Sequence, residues 1–149
     1  MCIRPFLLIG IALASCKKTD STPSATSPTD LITAHPWHVV ALTTTTNGTT
    51  TNRFTDTPLC SRDNLLTFQR DQKLLTDEGP TKCAVADPQQ QTGQWSFTAN
   101  ETQLAGSVPY LPYLLGSTLA ISELTTTTLR LRYQQTGLVD YADITFAAN

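Results

Sequence analysis

The chain has 149 residues, of which 40% are hydrophobic and 15% are charged. It carries 10 Lys and Arg against 12 Asp and Glu, so its formal net charge at pH 7 is only −2. A charge this small and this mixed in sign excludes electrostatic steering toward nucleic acid and a strong grip on anionic lipid. The chain is long enough for one domain with its own hydrophobic core.

The first 15 residues have the parts of an export signal. Arg4 supplies a positive charge, and residues 6–14 form a continuous apolar run. A membrane-spanning helix needs roughly 18 or more apolar residues, so this run is too short to be one. We therefore interpret residues 1–15 as a signal peptide that is removed.

Leu13-Ala14-Ser15-Cys16 ends this run and resembles the lipobox of bacterial lipoproteins at all four positions. The resemblance implies cleavage before Cys16, a diacylglyceryl thioether on its Sγ, and an acyl chain such as palmitate on its new amino group. Two or more acyl chains hold a protein stably at a membrane. We therefore expect Cys16 to anchor the protein to the bacterial outer membrane. The sequence does not distinguish the periplasmic face of that membrane from the cell-surface face. The alternative is an ordinary signal peptide in which Cys16 is incidental.

Residues 17–30 contain no large apolar side chain and are rich in Thr, Ser and Pro. Such a segment cannot bury enough surface to offset the entropy of ordering, which predicts a disordered tether. A flexible chain of this length spans on the order of 20 Å. We assign residues 16–30 to the lipidated cysteine and tether, and residues 31–149 to the folded domain.

The domain has the pattern of an all-β fold. Short runs of Val, Thr, Leu and aromatic residues alternate with turn residues, and no window keeps helical spacing. Asn47-Gly48 is a strong hairpin signal. Strands are predicted over residues 37–44, 50–55, 65–69, 73–76, 93–98, 102–105, 117–124, 127–133 and 139–146. An antiparallel meander of eight or nine strands removes its edges by closing into an up-and-down barrel.

Several short motifs follow one another along this domain. They are Trp37, Cys60-x-x-Asp63, Leu66-x-Phe68, Cys83, Gly93-x-Trp95, Ile121-x-x-Leu124 and Leu129-x-Leu131. Their order and spacing over residues 31–147 are similar to the lipocalin-like domains of Bacteroidetes lipoproteins. The resemblance implies an eight-stranded up-and-down barrel with space for a cavity, and it implies no particular ligand. That family usually has a glycine after the strand that contains the Leu-x-Phe motif, whereas residues 70–73 include no glycine. The sequence therefore does not predict whether this turn is tight.

Cys60 and Cys83 are the cysteines of the folded domain. The exported compartment is oxidising, the count is even, and the pair flanks one predicted hairpin, so we predict a disulfide. The chain-entropy model gives such a bond about 3 kcal/mol of stabilisation. The alternatives are two buried free thiols or a redox site, although lone cysteines without C-x-x-C are poor redox motifs.

The sequence offers few residues for catalysis or metal binding. His35 and His38 lie three apart, so in an extended chain their rings face opposite sides, which favours a structural role. Asp77 and Glu78 are adjacent and therefore also diverge, which favours a solvated turn over an acid/base pair. Residues 115–118 lack the second glycine of a nucleophile elbow. We predict no catalytic residue, no metal site and no cofactor.

The segment of residues 107–116 is the most apolar after the signal, and its two prolines exclude a central strand. Its Tyr110 and Tyr113 either plug one barrel end or form a contact surface for a ligand or partner. The predicted function is a lipid-anchored, non-enzymatic binding module for a small apolar ligand or an envelope protein. The alternative is a structural or inhibitory envelope protein whose barrel is filled with side chains. An apolar cavity of several hundred Å³ is the feature that favours a ligand.

Overall fold

The structure is a computed structural model, and it describes residues 26–107, 118–134 and 141–149. A short helix, α1, spans Pro28–Thr33 and is followed by nine strands. The strands are β1 Trp37–Thr46, β2 Thr49–Asn52, β3 Leu65–Phe68, β4 Lys73–Asp77, β5 Gln90–Thr98, β6 Gln103–Ser107, β7 Thr118–Leu124, β8 Thr128–Gln134 and β9 Tyr141–Ala148. Two 3₁₀ turns, Phe54–Asp56 and Leu59–Ser61, lie between β2 and β3.

The strands form one antiparallel sheet that closes on itself. From β3 to β9, each strand pairs with the next along the chain. β1 pairs with β9 from Trp37 opposite Ala148 to Thr45 opposite Tyr141, and Trp37 also pairs with Leu66 of β3. The result is a barrel of eight strands, to which β2 adds a ninth strand paired with the end of β1. The predicted all-β, up-and-down antiparallel barrel is confirmed.

Alternate residues of the strands point inward and fill the barrel with large side chains. The buried apolar residues are Ile32, Trp37, Leu66, Phe68, Leu74, Trp95, Leu104, Leu119, Leu129, Leu131, Ile144 and Phe146. The Trp95 ring lies between Phe68 and Phe97, with both centroids 5.4 Å away and both contacts edge-to-face. Trp95 Nε1 also donates to the carbonyl oxygen of Gln69 at 2.9 Å, so this large side chain is buried without an unpaired donor.

Helix α1 forms because its first turn is capped on both sides. The Ser27 hydroxyl accepts from the Asp30 backbone N–H at 3.0 Å, and the Asp30 carboxylate accepts from the Ser27 backbone N–H at 3.3 Å. This capping box, with a proline at the start of the helix, fixes the helix at residue 28. The sequence analysis places residues 28–30 in the tether, whereas in the structure they form the first turn of α1.

The same helix covers one end of the barrel. Ile32 is fully buried, and Trp37 Nε1 donates to its carbonyl oxygen at 2.8 Å. Arg70, in the turn between β3 and β4, pairs with Asp30 at 2.5 Å, and this contact with the guanidinium is the main cause that lowers the pKa of Asp30. The helix is thereby held against the barrel by a buried side chain and by a polar contact.

The two ends of the barrel differ in their connections. We call proximal the end that carries α1 and the turns at residues 69–72, 99–102 and 125–127. We call distal the opposite end, which carries the hairpin turn at residues 47–48 and the loops at residues 53–64 and 78–89. The chain that precedes α1 therefore enters the domain at the proximal end.

The turn at residues 69–72 is tight despite the missing glycine. Gln69 N–H donates to the carbonyl oxygen of Lys73 at 2.9 Å, and Gln72 takes a positive φ of 66°. This left-handed conformation costs an L residue about 1–2 kcal/mol relative to its preferred regions. The question left open by the sequence is thus answered in favour of a close turn with a strained residue.

Candidate functional site

The disulfide between Cys60 and Cys83 is confirmed, with the two Cα atoms 5.1 Å apart. Cys60 lies in the 3₁₀ turn Leu59–Ser61, and Cys83 lies in the loop at residues 78–89. The bond therefore joins the two loops of the distal end to each other. It leaves neither sulfur as a nucleophile or as a metal ligand.

The loop at residues 78–89 is also braced by polar contacts. Lys82 Nζ donates to the carbonyl oxygens of Val85, at 3.2 Å, and of Asp87. The Thr81 backbone N–H donates to Asp63 Oδ2 at 3.0 Å. These bonds and the disulfide give the loop one defined shape with no regular secondary structure.

Gly79 allows this loop to leave the barrel wall. Its φ is +67°, and a Cβ added there would lie 2.4 Å from the carbonyl oxygen of Asp63. Two independent constraints, conformation and contact, therefore require glycine at this position.

Two apolar side chains of the distal end face solvent. Val85 is 94% exposed and Leu59 is 74% exposed, whereas Val40 on the barrel wall is 41% exposed. Leu59 adjoins Cys60, and Val85 lies two residues beyond Cys83. The disulfide therefore presents both side chains from the same braced pair of loops.

The distal interior of the barrel is polar. Residues of β4 alternate, so that Leu74, Thr76 and then Glu78 point inward. Thr76 is fully buried and Glu78 is 1% exposed. The Glu78 backbone N–H donates to the carbonyl oxygen of Gln89 at 3.0 Å, which continues the ladder one residue past the end of β4.

Asn64 connects this interior to the disulfide. It is buried, and it stands just before β3, which pairs with β4. We assign its amide with the nitrogen donating to the carbonyl oxygens of Glu78 and Cys60, each at 3.1 Å. The distal loops and the inner wall of the barrel are thus joined by one side chain.

Three buried oxygen atoms of this interior lack a hydrogen-bond partner. Within the described residues, neither carboxylate oxygen of Glu78 accepts a hydrogen bond, and the Thr76 hydroxyl makes none. Polar atoms taken out of water are almost always paired, since an unpaired one costs roughly 1–3 kcal/mol. Elsewhere in the described residues, Asp63 Oδ1 and His38 Nδ1 are also buried without a hydrogen-bond partner.

The expectation that Asp77 and Glu78 diverge is confirmed, but a solvated turn is wrong for Glu78. Asp77 points outward, where its carboxylate accepts from the side chains of Gln90 and Gln89 and from the Gly79 N–H, each at 2.8 Å. These hydrogen bonds, with that from Gln90 first, hold the pKa of Asp77 below its ordinary value. The alternation of Leu74 and Thr76 was the signal in the sequence that places Glu78 inside.

The histidines lie apart from this interior. His35 is exposed before β1, and His38 is half-buried within β1. In the described part of the chain, no group of three or more His, Cys, Asp and Glu side chains is arranged to hold a metal ion. The described segments also include no helix with the length and apolar character needed to cross a membrane.

The centre of the barrel leaves little free space among the described residues. A gap of about 20 Å³ lies among apolar side chains that include Phe68, Trp95 and Phe146. A single water molecule needs roughly 10–15 Å³ by this measure, and drug-sized ligands need several hundred. The cavity implied by the family resemblance is therefore not found between these residues.

Several predicted features lie outside the described residues. They are Cys16, most of the tether, residues 108–117 with Tyr110 and Tyr113, and with them most of the segment tested for a nucleophile elbow. Comparison of the chain with models of protein families and with curated proteins found no match.

Proposed function

We propose that this chain is a non-enzymatic binding module, anchored to the bacterial outer membrane by acyl chains on Cys16, that engages a protein partner through its distal end. The lipobox resemblance at residues 13–16 supports the anchor. The described domain begins ten residues after Cys16, and a flexible linker of that length spans roughly 15–20 Å. The barrel is then held close to the membrane surface.

The observation that carries the proposal is the position of α1. The helix joins the tether to the barrel and occupies the proximal end, where Ile32 is fully buried and Asp30 pairs with Arg70. A tether that arrives at the proximal end brings that end toward the membrane. The distal end is then the part of the domain that a partner in the same compartment meets first.

The distal end has the properties of a binding surface. Val85 and Leu59 are apolar and exposed, and the Cys60–Cys83 disulfide holds them on one braced pair of loops. Contiguous exposed apolar surface is typical of interaction sites, and the disulfide joins the two loops that carry these side chains. Loops that are already ordered lose less conformational entropy on binding, so more of the contact energy appears as affinity.

The filled core favours a protein partner over a small apolar ligand. A gap of about 20 Å³ between the described core residues has no room for such a ligand. The same observation favours the second candidate function, a structural or inhibitory envelope protein with a filled barrel. The two candidates differ in whether the distal loops make a specific contact.

The experiment places a photo-crosslinking amino acid at Val85 in the distal loop, and at Thr126 in the proximal turn as a matched exposed control. Both variants keep Cys16 and are illuminated in cells of the source bacterium. We expect one discrete crosslinked protein from position 85 and none from position 126. The Cys16→Ala variant, which cannot be acylated at this position, should lose the crosslink because it no longer reaches the outer membrane.

Each result has a defined meaning. Equal crosslinking from both positions, or none from either, contradicts a distal binding surface and supports the structural role. A wild-type protein in the soluble fraction whose Cys16 carries no acyl chain contradicts the anchor. A discrete adduct at position 85 that also loses yield in Leu59→Asp supports the surface that we propose.

A further inference from the structure

We propose that the distal interior of the barrel binds the ammonium group of a small primary amine through Glu78 and Thr76. The inference deepens the proposed binding role by adding a ligand class at the same end of the barrel. It does not depend on the membrane anchor, nor on contacts made by the exposed loops.

The first argument is the state of the Glu78 carboxylate. It is 1% exposed, and in the described structure neither of its oxygen atoms has a hydrogen-bond partner. Removing a charged carboxylate from water is costly unless an opposite charge and hydrogen-bond donors replace the water. Both oxygens are therefore open to a hydrogen-bond donor, and a donor that carries a positive charge matches a carboxylate best.

The second argument is that the described cationic side chains are used elsewhere. Each lysine and arginine of the described segments contacts another group: Arg53 with Asp56, Arg62 with two backbone carbonyls, Arg70 with Asp30, Lys73 with Asp71, Lys82 with two backbone carbonyls, Arg130 with Glu123, and Arg132 with Asp143. None of these contacts reaches Glu78. Within the described part of the chain, no side chain supplies the missing charge.

The chemistry of the unpaired atoms selects the guest. The two Glu78 oxygens are hydrogen-bond acceptors without a donor. The Thr76 hydroxyl belongs to the same face of the strand, two residues and therefore about 6.6 Å away along it. A primary ammonium carries three N–H donors and a positive charge, which matches acceptors of this kind. A water molecule also donates hydrogen bonds, but unlike an ammonium group it has no positive charge.

A metal ion fits this interior less well than an ammonium group. Calcium takes six to eight oxygen ligands, and magnesium requires near-octahedral geometry. In the described residues, no group of three or more His, Cys, Asp and Glu side chains is placed to supply them. A primary ammonium also donates hydrogen bonds to these oxygens, which a quaternary ammonium cannot do.

The test uses the mature chain in soluble form, with Cys16→Ser, at constant ionic strength. Its thermal midpoint is followed in methylammonium chloride, in sodium chloride and in tetramethylammonium chloride. The last salt has the same charge as methylammonium but no N–H donor. We expect a saturable rise of the midpoint with methylammonium alone. Glu78→Gln should weaken the apparent affinity at least tenfold, and Asp77→Asn, the outward neighbour, should leave it unchanged.

Other outcomes overturn the proposal. They are the absence of a saturable shift, an equal shift with tetramethylammonium or sodium, or a shift that survives in Glu78→Gln. Should Glu78→Gln fail to unfold cooperatively, Thr76→Val decides, because it removes only the hydroxyl and should weaken binding several-fold. A negative result here leaves the crosslinking test of the distal surface unaffected, so the two failures are distinguishable.

Discussion

Removing the disulfide should cost the domain a substantial part of its free energy of unfolding. The bond closes a loop with a sequence separation of 23 residues between Cys60 and Cys83. The chain-entropy model gives about 3.4 kcal/mol at 25 °C for a loop of this length. The double variant Cys60→Ala/Cys83→Ala should be less stable by about that amount, since small domains have only about 5–15 kcal/mol in total.

The assay is urea denaturation, supported by thermal unfolding. For a domain of this size a loss of 1 kcal/mol lowers the thermal midpoint by about 4 °C, so the double variant should melt about 14 °C lower. The control is reductant. It should lower the midpoint of the wild-type domain to that of the double variant and should leave the double variant unchanged.

Two results would refute this reasoning. A double variant within 1 kcal/mol of the wild type would mean that the bond does not restrict the unfolded chain as the model requires. A further loss of stability on adding reductant to the double variant would mean that the effect of reductant is unrelated to Cys60 and Cys83.

Three further predictions concern single residues. Gly79→Ala should cost about 2–4 kcal/mol in urea denaturation, because strain at φ +67° adds to a backbone contact. Gly48→Ala is its matched control, with φ +77° and nothing within 4 Å, and should cost only about 1 kcal/mol. Gln72→Gly should raise stability by about 0.5 kcal/mol in the same assay, because it relieves a φ of +66°; an unchanged or lower value would contradict strain there. The pKa of Asp77 lies below its ordinary 3.8 in the fold, so its stabilisation is present above that pH and is lost as the pH falls through the folded value. Asp77→Asn should flatten the decline of the thermal midpoint below about pH 4, and an unaltered decline would argue against this contribution.

The strands were the most predictable part of the fold, because alternation and turn residues are local signals. Asn47-Gly48 forms the predicted hairpin turn, with positive φ at both residues. The predicted strands differ from the observed ones at their first or last residues. β2 stops at Asn52, where the 3₁₀ turn Phe54–Asp56 follows, and β5 begins at Gln90, three residues before the predicted start. The position of a strand end depends on the segments before and after the strand, and not on the pattern of residues within it.

Helix α1 and the buried Glu78 were missed for different reasons. Six residues are too few for helical periodicity to show, although Ser27 and Asp30 already had the spacing of a capping box. The sequence places Asp77 and Glu78 together in a solvated turn, because adjacent side chains diverge. Alternation continued from Leu74 and Thr76 predicts instead that Glu78 lies on the inward face of β4.

The barrel ends could not have been assigned from the sequence. Which end α1 covers depends on how β1 meets β3 and β9, and a pairing register of this kind brings together residues far apart in the chain. The disulfide was predictable because compartment and spacing restrict cysteine pairing. The exposure of Leu59 and Val85 on the two loops that it joins required the structure.

Membrane attachment through Cys16 is tested most directly by mass spectrometry of the amino-terminal peptide of the native protein. We expect a peptide that begins at Cys16 and carries a thioether-linked diacylglycerol and an amide-linked acyl chain. An unmodified amino terminus at any other residue, on protein recovered in the aqueous fraction, would contradict the anchor and the placement of the distal end away from a membrane.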